Sequence, residues 1–331
     1  MNAVATPVGV ALTREQLVEA ARLSIRKGSA SFRAASRLFD RTTRERVWML
    51  YAWCRACDDL ADDQDFGGTL GGGARGSQAD PEARLETIRA LTDLAFAGEW
   101  TGNPAFDALG QLAREVPITR AMADDVIAGF ALDAADWRPR SETDMLRYCY
   151  HVAGAVGVMM AAVMGVPEGD EDTLDRACDL GIAFQISNIV RDVAEDDAAD
   201  RRYLPVEWTV EEDIPPGELT KPHYRDGLVR IVARACALGR AYEASARVGA
   251  ARLKFRQRWA ILAAANIYGA IGRKVVERGA HAWDHRVRTT QAEKLALVAR
   301  AGLEALRASP TLVPVPELSR RELAAIAREG R

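Results

Sequence analysis

The stretch Leu180-Gly-Ile-Ala-Phe-Gln185-Ile-Ser-Asn188-Ile-Val-Arg191-Asp192-Val-Ala-Glu195-Asp196-Asp197 decides the reading of this chain. It has no proline and no period-2 alternation, so it reads as helix. At about 100° per residue, Gln185, Asn188, Asp192 and Asp196 then fall within about 80° of one another on one face. Polar side chains set into the apolar frame from Leu180 to Val193 would be awkward in a plain core. Asp at i and i+4 is an electrostatic liability unless water or a cation screens the pair. A hard divalent cation such as Mg²⁺ suits it, because Mg²⁺ is held by one or two carboxylates with water and substrate phosphates completing its shell.

Working outward, the same logic recurs in Asp58-Asp59-Leu60-Ala61-Asp62-Asp63-Gln64-Asp65. Tyr51, Arg55, Asp58 and Asp62 lie within about 60° on one helical face. Either cluster alone reads equally well as a solvated acidic surface. Two i, i+4 Asp pairs, each with an Arg beside it and apolar residues flanking it, point instead to a paired metal and diphosphate site.

The rest of the chain fits an all-α frame. No proline occurs between Pro7 and Pro81, from Pro167 to Pro205, or from Pro222 to Pro310, and these gaps are rich in Ala, Leu, Arg and Glu. Loops are expected at Phe66 to Ala79, Gly98 to Pro104, Pro139 to Glu142, Pro167 to Asp170 and Asp197 to Tyr224. With 331 residues and 48% apolar content the chain can bury a large core as one helical domain. Its net charge of −3 argues against a nucleic-acid binder. The opening MNAVATPVGVALTREQ has no basic segment ahead of an apolar run, so cytoplasmic residence is expected. The longest apolar run, Val152 to Val166, is shorter than the ~20 residues of a spanning helix and reads as a core helix. From Arg225 to Arg307 there are 17 Lys/Arg against 6 Asp/Glu, a balance of +11. That is either a solvated basic face or an attraction to diphosphate or to an anionic membrane surface.

Several motifs carry less. Gly71-Gly-Gly73-Ala-Arg-Gly76 satisfies G-x-G-x-x-G but follows an acidic helix rather than a strand, so no nicotinamide cofactor is expected. Cys54 and Cys57 lack a second pair and read, with the other three cysteines, as packed thiols. His281 and His285, at i and i+4 without H-E-x-x-H, read as part of an amphipathic helix, and His151 as a satisfied core-edge residue.

The stretches LYAWCRACDDLADDQ, YCYHVAGAVGVMMAAVMGV, DRACDLGIAFQISNIVRDVAEDDAADRRYLP and AWDHR together resemble the squalene/phytoene synthase family, most of all its bacterial phytoene-forming branch. The resemblance runs from about Leu17 to about Ala308, leaving residues 1–16 and 309–331 as peripheral termini. It implies a single-domain isoprenoid synthase fold, with helices around a central apolar cavity. It implies that Asp58, Asp59 and Asp62 bind Mg²⁺ or Mn²⁺ at one diphosphate and Asp192 and Asp196 at the other. Arg55, Arg191, Ser29 and Ser31 would contact diphosphate oxygens, and Tyr51, Tyr203 and Tyr268 match diphosphate-side and flap tyrosines. Gln185 and Asn188 match polar positions on the second helix, Val152 and Val156 line the tunnel, and Arg286 is a further substrate contact. One departure is Asp200, where the family more often has Gly.

The activity so implied is the head-to-head (1′–1) joining of two geranylgeranyl diphosphates to phytoene, the first committed step of carotenoid synthesis, with no reductant consumed. Use of farnesyl diphosphate, giving presqualene diphosphate, dehydrosqualene or squalene, is the alternative. A non-catalytic assembly factor of the same fold is disfavoured because the metal aspartates are all present. The expected partners are a weakly and peripherally bound membrane surface and a downstream desaturase.

Overall fold

The computed structural model describes residues 11–28, 35–61, 80–307 and 316–329, and among them there is no strand. In chain order the helices are α1 (Arg14–Gly28), α2 (Arg41–Ala61), α3 (Pro81–Ala97), α4 (Pro104–Glu115), α5 (Arg120–Ala134), α6 (Glu142–Cys149) and α7 (Ala155–Val163). They continue as α8 (Glu171–Ala198), α9 (Val206–Glu211), α10 (Arg225–Ala250), α11 (Phe255–Arg278), α12 (Gln291–Ala305) and α13 (Arg320–Glu329). Local chemistry sets their starts. Asn103, Thr119 and Asp170 accept hydrogen bonds from the first turns of α4, α5 and α8, and Ser141 and Thr290 complete reciprocal capping boxes on α6 and α12.

The 28-residue α8 is the central element, packed on α7, α10 and α11. Glycine lets it approach its neighbours closely. A Cβ at Gly181 would fall 2.2 Å from the carbonyl oxygen of Ala153, and one at Gly157 would fall 2.3 Å from that of Ala177. The two helices therefore cross in near backbone contact, which leaves the adjoining face of α8 free to border a cavity. One apolar cluster runs through the molecule from Leu17 in α1 to Leu323 in α13. The last helix is tied down by Arg320, which pairs with both Glu171 and Asp175 at the start of α8.

Three expectations need correction. The stretch from Asp197 to Tyr224 is not all loop: α8 continues through Ala198, Trp208 is buried within the short α9, and Pro222–Tyr224 forms a 3-10 turn. His281 and His285 do not share a helix face, because α11 ends at Gly279 with φ +52 and His281 turns to Asp284. The apolar run from Val152 is part of a continuous 22-residue helix, Glu142–Val163, long and apolar enough to cross a membrane by length and composition. Its apolarity is explained by packing, since two-thirds of the relevant window (67%) is buried inside the molecule. Within that helix a π turn, Tyr150–Gly154, joins α6 to α7, so His151 sits mid-helix and buried, its Nδ1 bonded to the Asp125 carbonyl oxygen at 2.8 Å.

Candidate active site

Two cavities meet at α8. The first, of about 470 Å³, is polar and is lined by Asp58 from α2 and by Gln185, Asn188, Arg191, Asp192 and Asp196 from α8. The second, of about 390 Å³, is apolar and is lined by Val152, Val156, Phe184 and Tyr268 among others. Gln185 and Asn188 border both, so these two amides stand where the polar chamber opens into the apolar one. Helical periodicity produces this: the lining positions of α8 recur at 173, 176–177, 180–181, 184–185 and 188, the spacing of one helix face.

The acidic residues are held by arginines. Arg55 bridges Asp58 at 2.9 Å and Asp59 at 2.5 Å along α2. Asp59 is drawn to that guanidinium and is not among the residues lining the polar cavity, whereas Asp58 is. Asp192 accepts a bidentate pair from Arg191, at 2.7 and 2.5 Å, and a further bond from Arg286 at 2.9 Å. Arg286, expected as a further substrate contact, is thus brought onto the second cluster. Asp196 lies deeper. Burial first, and the negative charge of Asp192 second, push its carboxyl up to about 7, with Arg201 and Arg286 opposing.

Tyr203 reaches the polar cavity, and its hydroxyl donates to Asp133 at 3.2 Å. Tyr268 lies instead in the apolar cavity, stacked on Phe184 at 4.1 Å, and burial raises its hydroxyl pKa with Arg191 opposing. Tyr51 is half-buried one turn before Arg55, and burial is again the main cause of its raised pKa. Ser29, Ser31, Asp62 and the glycine run 71–76 lie outside the described residues.

The sequence reading missed Asp133, Tyr148 and Arg201, all of which line the polar cavity. Asp133 accepts hydroxyl hydrogen bonds from both Tyr148 and Tyr203, whose rings stack at 4.7 Å. The three come from α5, α6 and the segment after α8, so no spacing within one helix announces them. Asp200, the departure from the family's usual Gly, has φ +57, in the left-handed region where glycine is favoured.

Residues 25–293 match the family described as squalene/phytoene synthase. The chain is 43% identical over 304 residues to a phytoene synthase of Pseudescherichia vulneris, covering 91% of this chain and 96% of that one. It is 46% identical over 280 residues to a 15-cis-phytoene synthase of Pantoea ananas, covering 84% and 89%. In fold it is similar to a ligand-bound dehydrosqualene synthase, with a TM-score of 0.77 at 24% identity over 88% of this chain and 97% of that one. A squalene synthase from Alicyclobacillus acidocaldarius also matches, with a TM-score of 0.70 at 22% identity over 80% and 95%. With the profile spanning most of its length and such relatives aligned across nearly all of theirs, the chain belongs to the squalene/phytoene synthase family.

Proposed function

We propose that the protein is a prenyltransferase that joins two geranylgeranyl diphosphates head to head to give phytoene, in the carotenoid branch of isoprenoid synthesis. The relatives named phytoene synthase support this reading. The observation that carries it is the junction at Gln185 and Asn188, where a chamber of carboxylates and arginines opens directly into an apolar cavity. A prenyl diphosphate is an amphiphile of that form.

The donor set fits Mg²⁺ or Mn²⁺. Asp58, Asp192 and Asp196 present only oxygen ligands to the polar cavity. Asp196 is half-buried near the negative charge of Asp192 and its carboxyl is pushed up to about 7, which is the electrostatic situation a cation relieves. Among the described residues no three acidic, histidine or cysteine side chains converge on one point. A cation held here would take its remaining positions from water and substrate phosphates. Asp58, Asp192 and Asp196, with Asp62, would hold the metal, and when bound it neutralises charge on the leaving diphosphate.

The chain's own residues do the rest. Arg191 and Arg286 are already poised at Asp192 and can turn to diphosphate oxygens. Arg201 adds a cation on the cavity wall. Loss of diphosphate from one substrate leaves an allylic cation at the junction; the C2–C3 double bond of the second attacks its C1, and a first proton leaves that C1 as it bonds to C3, closing the ring of a cyclopropylcarbinyl diphosphate. A second loss of diphosphate, rearrangement and departure of a proton complete phytoene. The apolar walls at Val152, Val156 and Phe184 keep water from the cations. Because no hydride is added, no nicotinamide cofactor is required. The apolar product must pass to lipid, and we place the protein in the cytoplasm with a weak, peripheral hold on the membrane and a desaturase as the next enzyme.

Incubating purified protein with geranylgeranyl diphosphate and Mg²⁺, without reductant, should give phytoene on product chromatography. A product that forms only with NADPH, or only from farnesyl diphosphate, overturns the assignment.

A further inference from the structure

The apolar cavity ends on a charge. Along α8 its lining runs from Asn188 at the junction to Arg176 and Thr173 at the far end. The opposite walls end at the same level, with Met164 after α7 and Leu253 after α10. Arg176 is 7% exposed and, among the described residues, is the one charged residue lining this cavity. Its Nε donates to Asp172 at 3.1 Å, one turn nearer the start of α8. A terminal nitrogen donates to the Oγ of Ser245 at 3.1 Å and to the Ser245 carbonyl oxygen at 3.3 Å on α10. Asp172 is also paired with Arg252, and Ser245 donates in turn to Asp179 at 2.5 Å. The stem of Arg176 crosses to α10 over Gly249, where a Cβ would lie 2.6 Å from the Cβ of Arg176. The crossing requires glycine there, and it holds Arg176 against α10 beside Gly249, both of them in the cavity lining.

The lengths agree. Twelve residues of α8 separate Asn188 from Arg176, about 18 Å of helical rise. With carbon–carbon bonds of about 1.5 Å shortened by their zigzag, the main chain of a geranylgeranyl group reaches about 19 Å, a C15 group about 14 Å and a C25 group about 24 Å.

We infer that Arg176 is the specificity-determining residue that sets the upper limit on prenyl chain length. The inference rests on reading the apolar cavity as the prenyl-chain site. A chain one unit too long must push the guanidinium off Asp172 and Ser245 and leave a buried charge without its partners, which is a steep penalty. A chain one unit too short only leaves apolar space unfilled, which is a graded one. Discrimination is therefore asymmetric: sharp against C25, shallow against C15.

The test is kcat/KM of the full-length enzyme with C15, C20 and C25 prenyl diphosphates. The native protein should favour C20 over C25 by about 100-fold or more, and over C15 by only about 10-fold. Arg176→Met keeps the stem over Gly249 and removes the charge; it should raise the C25:C20 ratio at least about tenfold while moving C15:C20 by less than about twofold. Ser245→Ala loosens the guanidinium without removing it and should move C25:C20 in the same direction by less, which keeps the test available if Arg176→Met fails to fold. A purely structural role would lower Tm in both variants and leave the ratios alone; that outcome, or a native enzyme that accepts C25 as well as C20, overturns the inference. Val156→Phe, which blocks the cavity midway, should abolish use of C15 and C20 alike. If it does not, the cavity is not the chain site and both readings fall; if it does and the Arg176→Met ratios stay put, only the limit at Arg176 falls.

Discussion

Asp200 shows how one residue can depart from a pattern without disturbing the site. Its left-handed backbone is tolerated better by Asp than by most side chains, and its carboxylate pairs with Arg138 at 3.0 Å across the gap between two connecting segments. At the acidic clusters, the ion pairs change what a substitution should do. Asp192 is mostly buried between Arg191 and Arg286, so it is not the solvated carboxylate its sequence suggests. Asp192→Asn and Asp196→Asn should each lower turnover by about 100-fold or more in steady-state assays, with Tm little changed. Asp192→Ala should in addition lose about 2 kcal/mol in urea unfolding, because Arg191 is left partly buried without its bidentate partner. Asp179 gives a pH effect separate from catalysis. Burial pushes its carboxyl from 3.8 up to about 7, against the hydrogen bond from Ser245. A proton held more tightly in the folded state than in the unfolded one stabilises the fold below pH 4, and that contribution is lost as pH rises from about 4 to about 7. Asp179→Asn keeps a side chain that can bond Ser245 and removes the titration, so its Tm advantage over the native protein should grow between pH 5 and pH 8.

At the scale of elements, the crossing of α7 and α8 is the feature most sensitive to size. Gly181 and Gly157 meet carbonyl oxygens of the opposing helix at 2.2 and 2.3 Å from an added Cβ, and backbone cannot rotate away as a side-chain tip can. Gly181→Ala should cost about 3 kcal/mol in denaturant unfolding and should also impair turnover, because separating the helices shifts Gln185 and Asn188 at the junction. A matching change at Gly165 or Gly169, where an added Cβ meets nothing within 4 Å, is the control for general helix-end effects. Gly169→Ala should be the quieter of the two, since Gly165 has φ +89. The π turn at Tyr150–Gly154 acts on the same crossing. It widens the helix just before Ala153 and Gly154 meet α8, and Tyr150, bonded to Asp125 at 2.7 Å, pins the bulge to α5.

For the whole molecule, much of the basic carboxyl-terminal third is engaged in ion pairs, several of them at the surface. Arg225, Arg230, Arg234, Arg247, Arg252, Lys274, Arg286 and Arg300 each pair with a carboxylate. Arg256 and Arg258 donate to backbone carbonyls at the ends of other segments. Of the ion-paired residues, Arg230, Arg234, Arg252 and Arg286 use carboxylates from outside this third, which offsets part of the +11 excess and weakens its field at lipid headgroups. Peripheral membrane binding should accordingly be weak. In flotation with vesicles containing about one-third anionic lipid, a minor fraction should float at low salt and less at 0.3 M salt, where the Debye length falls to about 6 Å. Strong flotation with neutral lipid would instead mark an apolar contact as the anchor.

The sequence by itself determined the helical class, the family, and which residues share a helix face, because a 3.6-residue period and i, i+4 spacing are local properties. It placed Gln185, Asn188, Asp192 and Asp196 together before any packing was known. Only the tertiary structure brought Asp58 on α2 to the same chamber, added Asp133 and Tyr148 from two further helices, and moved Tyr268 into the apolar cavity. It alone decided that Arg176 lines that cavity and that much of the basic third is ion-paired. The reason is physical: periodicity fixes a face relative to its own axis, whereas which faces meet depends on how several helices cross, and those crossings are set by contacts such as Gly181 on Ala153 between residues far apart in the chain.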